Sequence, residues 1–226
     1  MSPSVKFEGM PREMIALRVS REIPEGSYVN LGIGIPTLIS NWIEGKDICL
    51  QSEIGMLKTG ALAYGDEVNQ DLINASCQAV TELPGSSFFD IAESFAMIRG
   101  GHIDIAVMGA LQINDRGDYA GWSNPSRGLF VGNIGGSMDL CAGAKKLFIA
   151  MEHVTRNGEL KVVKELTYPA TTVCKVTMLF TDLAVIEITP EGMVLREVMP
   201  GLTAEDVQSV TEPKLIISPN LKEIEF

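Results

Sequence analysis

The sequence predicts an α/β fold: an open, mostly parallel sheet with flanking helices and some antiparallel edge strands. Three observations predict it. Mostly apolar runs at 48–51, 103–108 and 147–152 are long enough only for short buried strands. Segments with helical patterning alternate with those runs, as crossover helices do. A chain of 226 residues is also long enough to bury a substantial core. No internal repeat or linker interrupts it, so residues 1–226 read as a single domain.

The elements follow in order. Apolar residues at Met14, Ile15, Leu17 and Val19, with Arg and Glu between them, make 11–23 an opening amphipathic helix with Pro11 near its first turn. Residues 27–33 read as a strand, and a glycine-proline turn leads into a helix over 37–43. After the strand at 48–51, residues 55–75 read as a long irregular loop. Residues 88–98 are expected to be helical until Gly100-Gly101 breaks the helix ahead of the 103–108 strand. Asn114-Asp115-Arg116-Gly117-Asp118 is a turn joining two antiparallel strands. A helix over 139–145 precedes the 147–152 strand, and Arg156-Asn157-Gly158-Glu159 is a second hairpin-like turn. Strands at 183–188 and 193–198 flank Thr189-Pro190-Glu191-Gly192, and Thr203 caps a short helix with Asp206 three residues on.

Composition narrows the function. Eighteen basic against 29 acidic residues give a net charge of −11, which disfavours nucleic acid and anionic membranes as partners. Cys49, Cys77, Cys141 and Cys174 form no Cys-x-x-Cys pair, so neither a zinc ribbon nor a dithiol site is indicated. Isolated thiols, and Met1 to Met10 without a secretory pattern, fit a reduced cytoplasmic protein. No apolar stretch is long enough to span a bilayer.

The candidate chemistry centres on Ile48-Cys49-Leu50-Gln51-Ser52-Glu53-Ile54-Gly55-Met56. A short strand delivers Glu53 to its carboxyl end, where open α/β sheets build their sites, and Gly55 lets the chain turn sharply. A carboxylate held there acts as nucleophile or base; the alternative is a solvated charge. Gly32-Ile33-Gly34-Ile35-Pro36-Thr37 invites a dinucleotide fingerprint, but Thr37 replaces its third glycine, so a pocket-lining turn fits better. Gly132-Asn133-Ile134-Gly135-Gly136-Ser137 opens onto a helix, either to offer backbone N–H groups to developing charge or simply as a tight turn. There is no Gly-x-Ser-x-Gly elbow, and His102 and His153 lack metal-binding spacing and read as structural.

Together these segments resemble the beta subunit of the family I CoA-transferases, of the 3-oxoacid type. The resemblance runs from about residue 12 to 219. It is carried by Asn30-Leu31-Gly32-Ile33-Gly34-Ile35-Pro36-Thr37, Gln51-Ser52-Glu53-x-Gly55 and Asp71-Leu72-Ile73-Asn74-Ala75. It continues in Glu93 to Asp104 and in Gly135-Gly136-Ser137-Met138-Asp139-Leu140.

The resemblance implies a CoA-transferase-like fold and a ping-pong reaction. Glu53 would be the nucleophile, Gly135 and Gly136 the backbone near the oxyanion, and Asn30 a pocket residue. Gly32, Gly34, Ser52, Ile54 and Cys77 would complete the substrate pocket. Coenzyme A would be a substrate; no cofactor and no metal are expected. The family's CoA-binding glycine motif lies in a separate alpha subunit, so an α2β2 heterotetramer is implied, with acyl-CoA and a carboxylic acid as substrates. Three positions depart from the family pattern. Ile54 stands where Asn is usual, Cys77 where many members carry Lys, and Ala120-Gly121-Trp122 replaces an Ala-Asn-Trp run. Without that Lys, a dicarboxylic substrate loses a charge partner. The less polar neighbour of Glu53 also keeps an alternative in view, a hydrolase on the same fold with Glu53 as base.

Overall fold

Ten strands form one sheet in the computed structural model, which describes residues 7–125 and 134–226. The strands of the first half are β1 (Tyr28–Leu31), β2 (Cys49–Ser52), β3 (Met56–Leu62), β4 (Val80–Phe88) and β5 (Ile105–Met108). A two-stranded sheet of β6 (Gln112–Ile113) and β7 (Tyr119–Ala120) stands apart. The second half adds β8 (Lys146–Ala150), β9 (Val176–Phe180), β10 (Ala184–Thr189), β11 (Gly192–Val198) and β12 (Ile216–Glu223). The order across the large sheet is β12-β11-β10-β9-β8-β5-β1-β2-β3-β4.

The centre, β2-β1-β5-β8-β9, is parallel. Antiparallel pairs extend it through β3 and β4 on one side and through β10 and β11 on the other, with β12 parallel to β11 at the far edge. This is the predicted architecture. The central strands are short and apolar because both their faces are covered. Ile105, Ala106, Val107 and Met108 are all buried, and their side chains divide between two cores.

On one face Ile105 and Val107 meet Phe148, Ala150 and the inner side of α1 (Arg12–Glu22) at Ile15, Ala16 and Val19. Ile39 of the 3₁₀ helix Ile35–Trp42 joins this layer. On the opposite face Ala106, Leu147 and Ile149 meet Ile98, Leu140 and Val207. Those three belong to α2 (Ile91–Arg99), α3 (Ser137–Gly143) and α4 (Ala204–Ser209). Each fully buried aliphatic side chain contributes about 1.5–3 kcal/mol of transfer free energy. No helix among the described residues is long and apolar enough to cross a membrane.

Two expectations are corrected. Residues 55–75 are not one irregular loop, since Met56–Leu62 is β3, paired with β2 and β4. Phe88 does not start a helix; it ends β4, and α2 begins at Ile91 with Asp90 accepting the Glu93 N–H as its cap. The segment expected as a helix after Gly34-Ile35-Pro36 takes the tighter 3₁₀ form. The two turns at 114–118 and 156–159 and the Thr203–Asp206 capping box are where the pattern put them.

Candidate active site

The strand order reverses at β1: β2 lies on one side of it and β5 on the other. Open sheets open a crevice at such a switch point, outside the carboxyl ends of the strands. A cleft of about 360 Å³ sits there. The segments just past the strand ends line it: Gly32 and Ile33 after β1, Glu53 after β2, and Gly109 to Leu111 after β5. Ile134 to Ser137, leading into α3, complete the described lining.

Strand parity aims the side chains. Val29 and Leu50 point into the α1 layer, so Asn30 and Gln51 point to the α2 and α3 side. Asn30 is fully buried, and its Nδ2 faces three acceptors: Gln51 Oε1 at 2.6 Å, Gln51 O at 3.0 Å and Glu53 Oε2 at 3.3 Å. Gln51 Nε2 in turn donates to Ser94 Oγ of α2 at 2.7 Å. An amide nitrogen has two protons, so Glu53 receives the longest and weakest of three competing contacts. Asn30 Oδ1 is buried without a partner among the described residues. A buried acceptor left unpaired costs about 1–3 kcal/mol, a cost found at sites rather than in ordinary cores.

The turn after β2 fixes Glu53. Gly55 N donates to Ser52 O at 3.0 Å, and Gly55 O accepts from Phe89 N at 3.1 Å. Gly55 has φ +124°, and a Cβ there would stand 2.1 Å from Phe89 O. Only glycine fits. Across the cleft, a Cβ on Gly136 would meet the Phe95 ring at 2.8 Å and stand 3.8 Å from Glu53 Cγ. Gly136 thus lets the Gly135-Gly136 backbone come close to the carboxylate. Arg99 at the end of α2 meets Asp139 of α3 at 2.7 Å, an exposed and solvent-screened pair. Asp104 accepts from Tyr28 N at 2.8 Å and from Lys145 at 2.7 Å, and these two contacts hold its carboxyl below the usual range. It thereby pins the starts of β1 and β5 together.

Of the residues selected from sequence, the structure brings together Glu53, Asn30, Gly32, Gly135 and Gly136. Ser52 points the other way, into a narrow polar pocket shared with Thr37 and Thr59, and its buried Oγ has no partner among the described residues. Gly34 is an exposed turn residue at φ +96°. Ile54 is 43% exposed, and Cys77 sits exposed at φ +57°; neither lines the cleft. Gly132 and Asn133 lie outside the described residues. Sequence reasoning missed Met108, Leu111 and Tyr119 as cleft residues. Position at or just past the end of β5 was an available signal for the first two; nothing local marked Tyr119.

Residues 12–209 match the family described as Coenzyme A transferase. The chain belongs to that family. Among curated proteins it is 46% identical to a subunit of the 3-oxoadipate CoA-transferase of Acinetobacter baylyi, over 94% of this chain and 98% of that one. It is also 46% identical to a subunit of the succinyl-CoA:3-ketoacid coenzyme A transferase of Helicobacter pylori, over 89% of this chain and 96% of that one. Among solved structures, the acyl-CoA transferase YdiF from Escherichia coli O157:H7, in a thioester complex with CoA, superposes with a TM-score of 0.76 at 20% identity. That match covers 97% of this CoA-transferase chain but only 44% of YdiF, and at this identity it shows the fold alone.

Proposed function

We propose that this chain is the beta subunit of a CoA-transferase that moves CoA between an acyl-CoA and a carboxylic acid, through a glutamyl-CoA thioester on Glu53. One observation carries the reading: at the switch point of the sheet, Glu53 faces a cleft bounded on its far side by the Gly135-Gly136 backbone.

A Glu53 carboxylate oxygen attacks the thioester carbonyl and expels CoA thiolate, leaving an acyl-glutamyl anhydride. The thiolate then attacks the glutamyl carbonyl, which forms the enzyme thioester and releases the donor acid. An acceptor carboxylate reverses these steps and leaves with CoA. Each attack builds an oxyanion, and the Gly135-Gly136 backbone is the element near enough to stabilise it. Asn30 fixes one carboxylate oxygen so that the other is presented to the substrate. Contacts to the distant part of CoA lower the barrier at the reacting carbonyl.

An alpha subunit completes the site, in an α2β2 assembly. The curated relatives support a partner subunit, since each is named as one subunit of its enzyme, and so does a net charge of −11 on a chain that handles a polyanionic substrate. The feature that favoured a hydrolase, Ile54, lies outside the cleft lining, so transfer is the reading retained.

The test is Glu53→Ala, co-purified with its alpha subunit. CoA transfer between acetoacetyl-CoA and acetate is expected to vanish while the assembly elutes unchanged. A variant that keeps a comparable rate would sink the nucleophile assignment.

A further inference from the structure

Among its described lining residues, the cleft beside Glu53 is almost without charge. Ile33, Met108, Ala110, Leu111 and Leu140 supply apolar surface to it. Tyr119 also lines it, but its hydroxyl is 3.2 Å from Cys141 Sγ in the core, and burial pushes its pKa up. Among the described lining residues Glu53 is the one Asp, Glu, Lys, Arg or His.

Three described cations of the neighbouring elements are occupied elsewhere. Arg99 bonds Asp139 and lies over the outer Phe95 ring, Lys145 bonds Asp104, and Arg116 bonds Asp118 and Glu165. Lys161, in the next cleft beyond Leu111, is flanked by Glu152 and Asp182.

We infer that this cleft selects acyl groups of monocarboxylic acids, short and apolar beyond the thioester carbonyl, and rejects acyl chains that end in a second carboxylate. The inference rests on the function proposed above and names its substrate class. It also separates this chain from its relatives at 46% identity, whose names contain 3-oxoadipate and succinyl-CoA, both of them dicarboxylic.

The physical argument is desolvation plus repulsion. An acyl chain seated against Leu111 and Met108 gives up water for apolar contact, which is favourable for methylene groups. A terminal carboxylate in the same place gives up its hydration, meets no described cation, and shares the cleft with Glu53. Burying a charge unpaired is prohibitive, and a like charge nearby adds several kcal/mol. The described part of the cleft, about 360 Å³, lies near the small end of ligand sites and suits a short acyl chain.

The test uses the co-purified alpha-beta complex with acetate as acceptor and matched donors. Butanoyl-CoA is compared with succinyl-CoA, and pentanoyl-CoA with glutaryl-CoA. Each pair has equal carbon number and differs in the terminal carboxylate. The expected result is a kcat/KM at least about 100-fold higher for the monocarboxylic member of each pair, the scale of a buried charge left without a partner. Ile33→Lys, at a residue 68% exposed on the rim, is expected to narrow that gap about tenfold by offering a cation.

Equal or reversed preference, with a CoA adduct on Glu53 from both donor classes, overturns the inference and leaves the transferase reading standing. No Glu53 adduct from any donor overturns the transferase reading and the inference with it.

Discussion

Gly55→Ala probes the link between the turn and the chemistry. The new methyl would stand 2.1 Å from Phe89 O, whereas real contacts of this kind do not fall below 3.0 Å, so about 1 Å of backbone movement is required. No rotamer relieves it, because the obstacle is a main-chain carbonyl. A non-glycine residue at φ +124° adds a backbone strain of about 1–3 kcal/mol. The movement must come from the turn or from Phe89, whose N–H is bonded to Gly55 O at 3.1 Å. Glu53 is two residues away on the same turn and shifts with it. A misplacement near 1 Å costs about 10²-fold in a reaction that depends on positioning. The assay pairs urea unfolding of the alpha-beta complex with the single-turnover rate of CoA adduct formation on Glu53. The expected result is a loss of about 2–4 kcal/mol together with an adduct rate lowered about 100-fold. A variant that is destabilised but forms adduct at the native rate would refute the claim that this turn positions the carboxylate.

Two further outcomes concern stability. Glu197 is 6% exposed and makes a two-point pair with Arg18 at 2.7 and 2.9 Å, so Glu197→Ala strands a largely buried guanidinium. Glu22 still bonds Arg18 at 2.9 Å, which puts the expected loss in urea denaturation near 3 kcal/mol, the low end for a broken buried pair; a loss below about 1 kcal/mol contradicts it. His153 is fully buried between Thr181 and Thr211 at 2.9 Å each, and burial, with Lys161 nearby, pushes its pKa down to about 3 from 6.5. Between those values the unfolded chain binds a proton that the folded chain refuses. This contribution to stability is therefore present above pH 6.5 and lost as pH falls toward 3, with a slope of up to about 1.4 kcal/mol per pH unit. Urea midpoints measured from pH 4 to 7 are expected to fall more steeply for the native protein than for His153→Gln; parallel curves contradict it.

Most of the parallel centre, β1, β2, β5 and β8 but not β9, was legible because its strands are covered on both faces, which leaves an unbroken apolar run such as Ile105-Ala106-Val107-Met108. On the flanks β10 and β11 were read as strands, but β3, β4 and β12 were not. In β3, Lys58 takes φ +58° and the register with β4 slips at Leu57/Thr59 and again at Thr59/Leu62, so the alternation that marks a strand is broken. The two outermost strands, β4 and β12, contain Pro84 and Pro219. Proline is tolerated at an edge, where its missing N–H faces no neighbour, but in sequence it reads as a turn. In the site, Glu53, Asn30 and the Gly135-Gly136 loop were readable from motif and strand-end position. The apolar wall formed by Met108, Leu111 and Tyr119 was not read, because in sequence Met108 and Tyr119 look like ordinary core residues and Leu111 like a loop residue.

The central claim is that Glu53 carries CoA covalently during turnover. Its most direct test is peptide mass spectrometry of the alpha-beta complex, quenched in acid after incubation with acyl-CoA and no acceptor. The account predicts a CoA-sized mass increase on the peptide containing Gln51-Ser52-Glu53-Ile54-Gly55, absent in Glu53→Gln and discharged by added acetate. Thioester consumption with that peptide unmodified, or an adduct mapped to another residue, would contradict it.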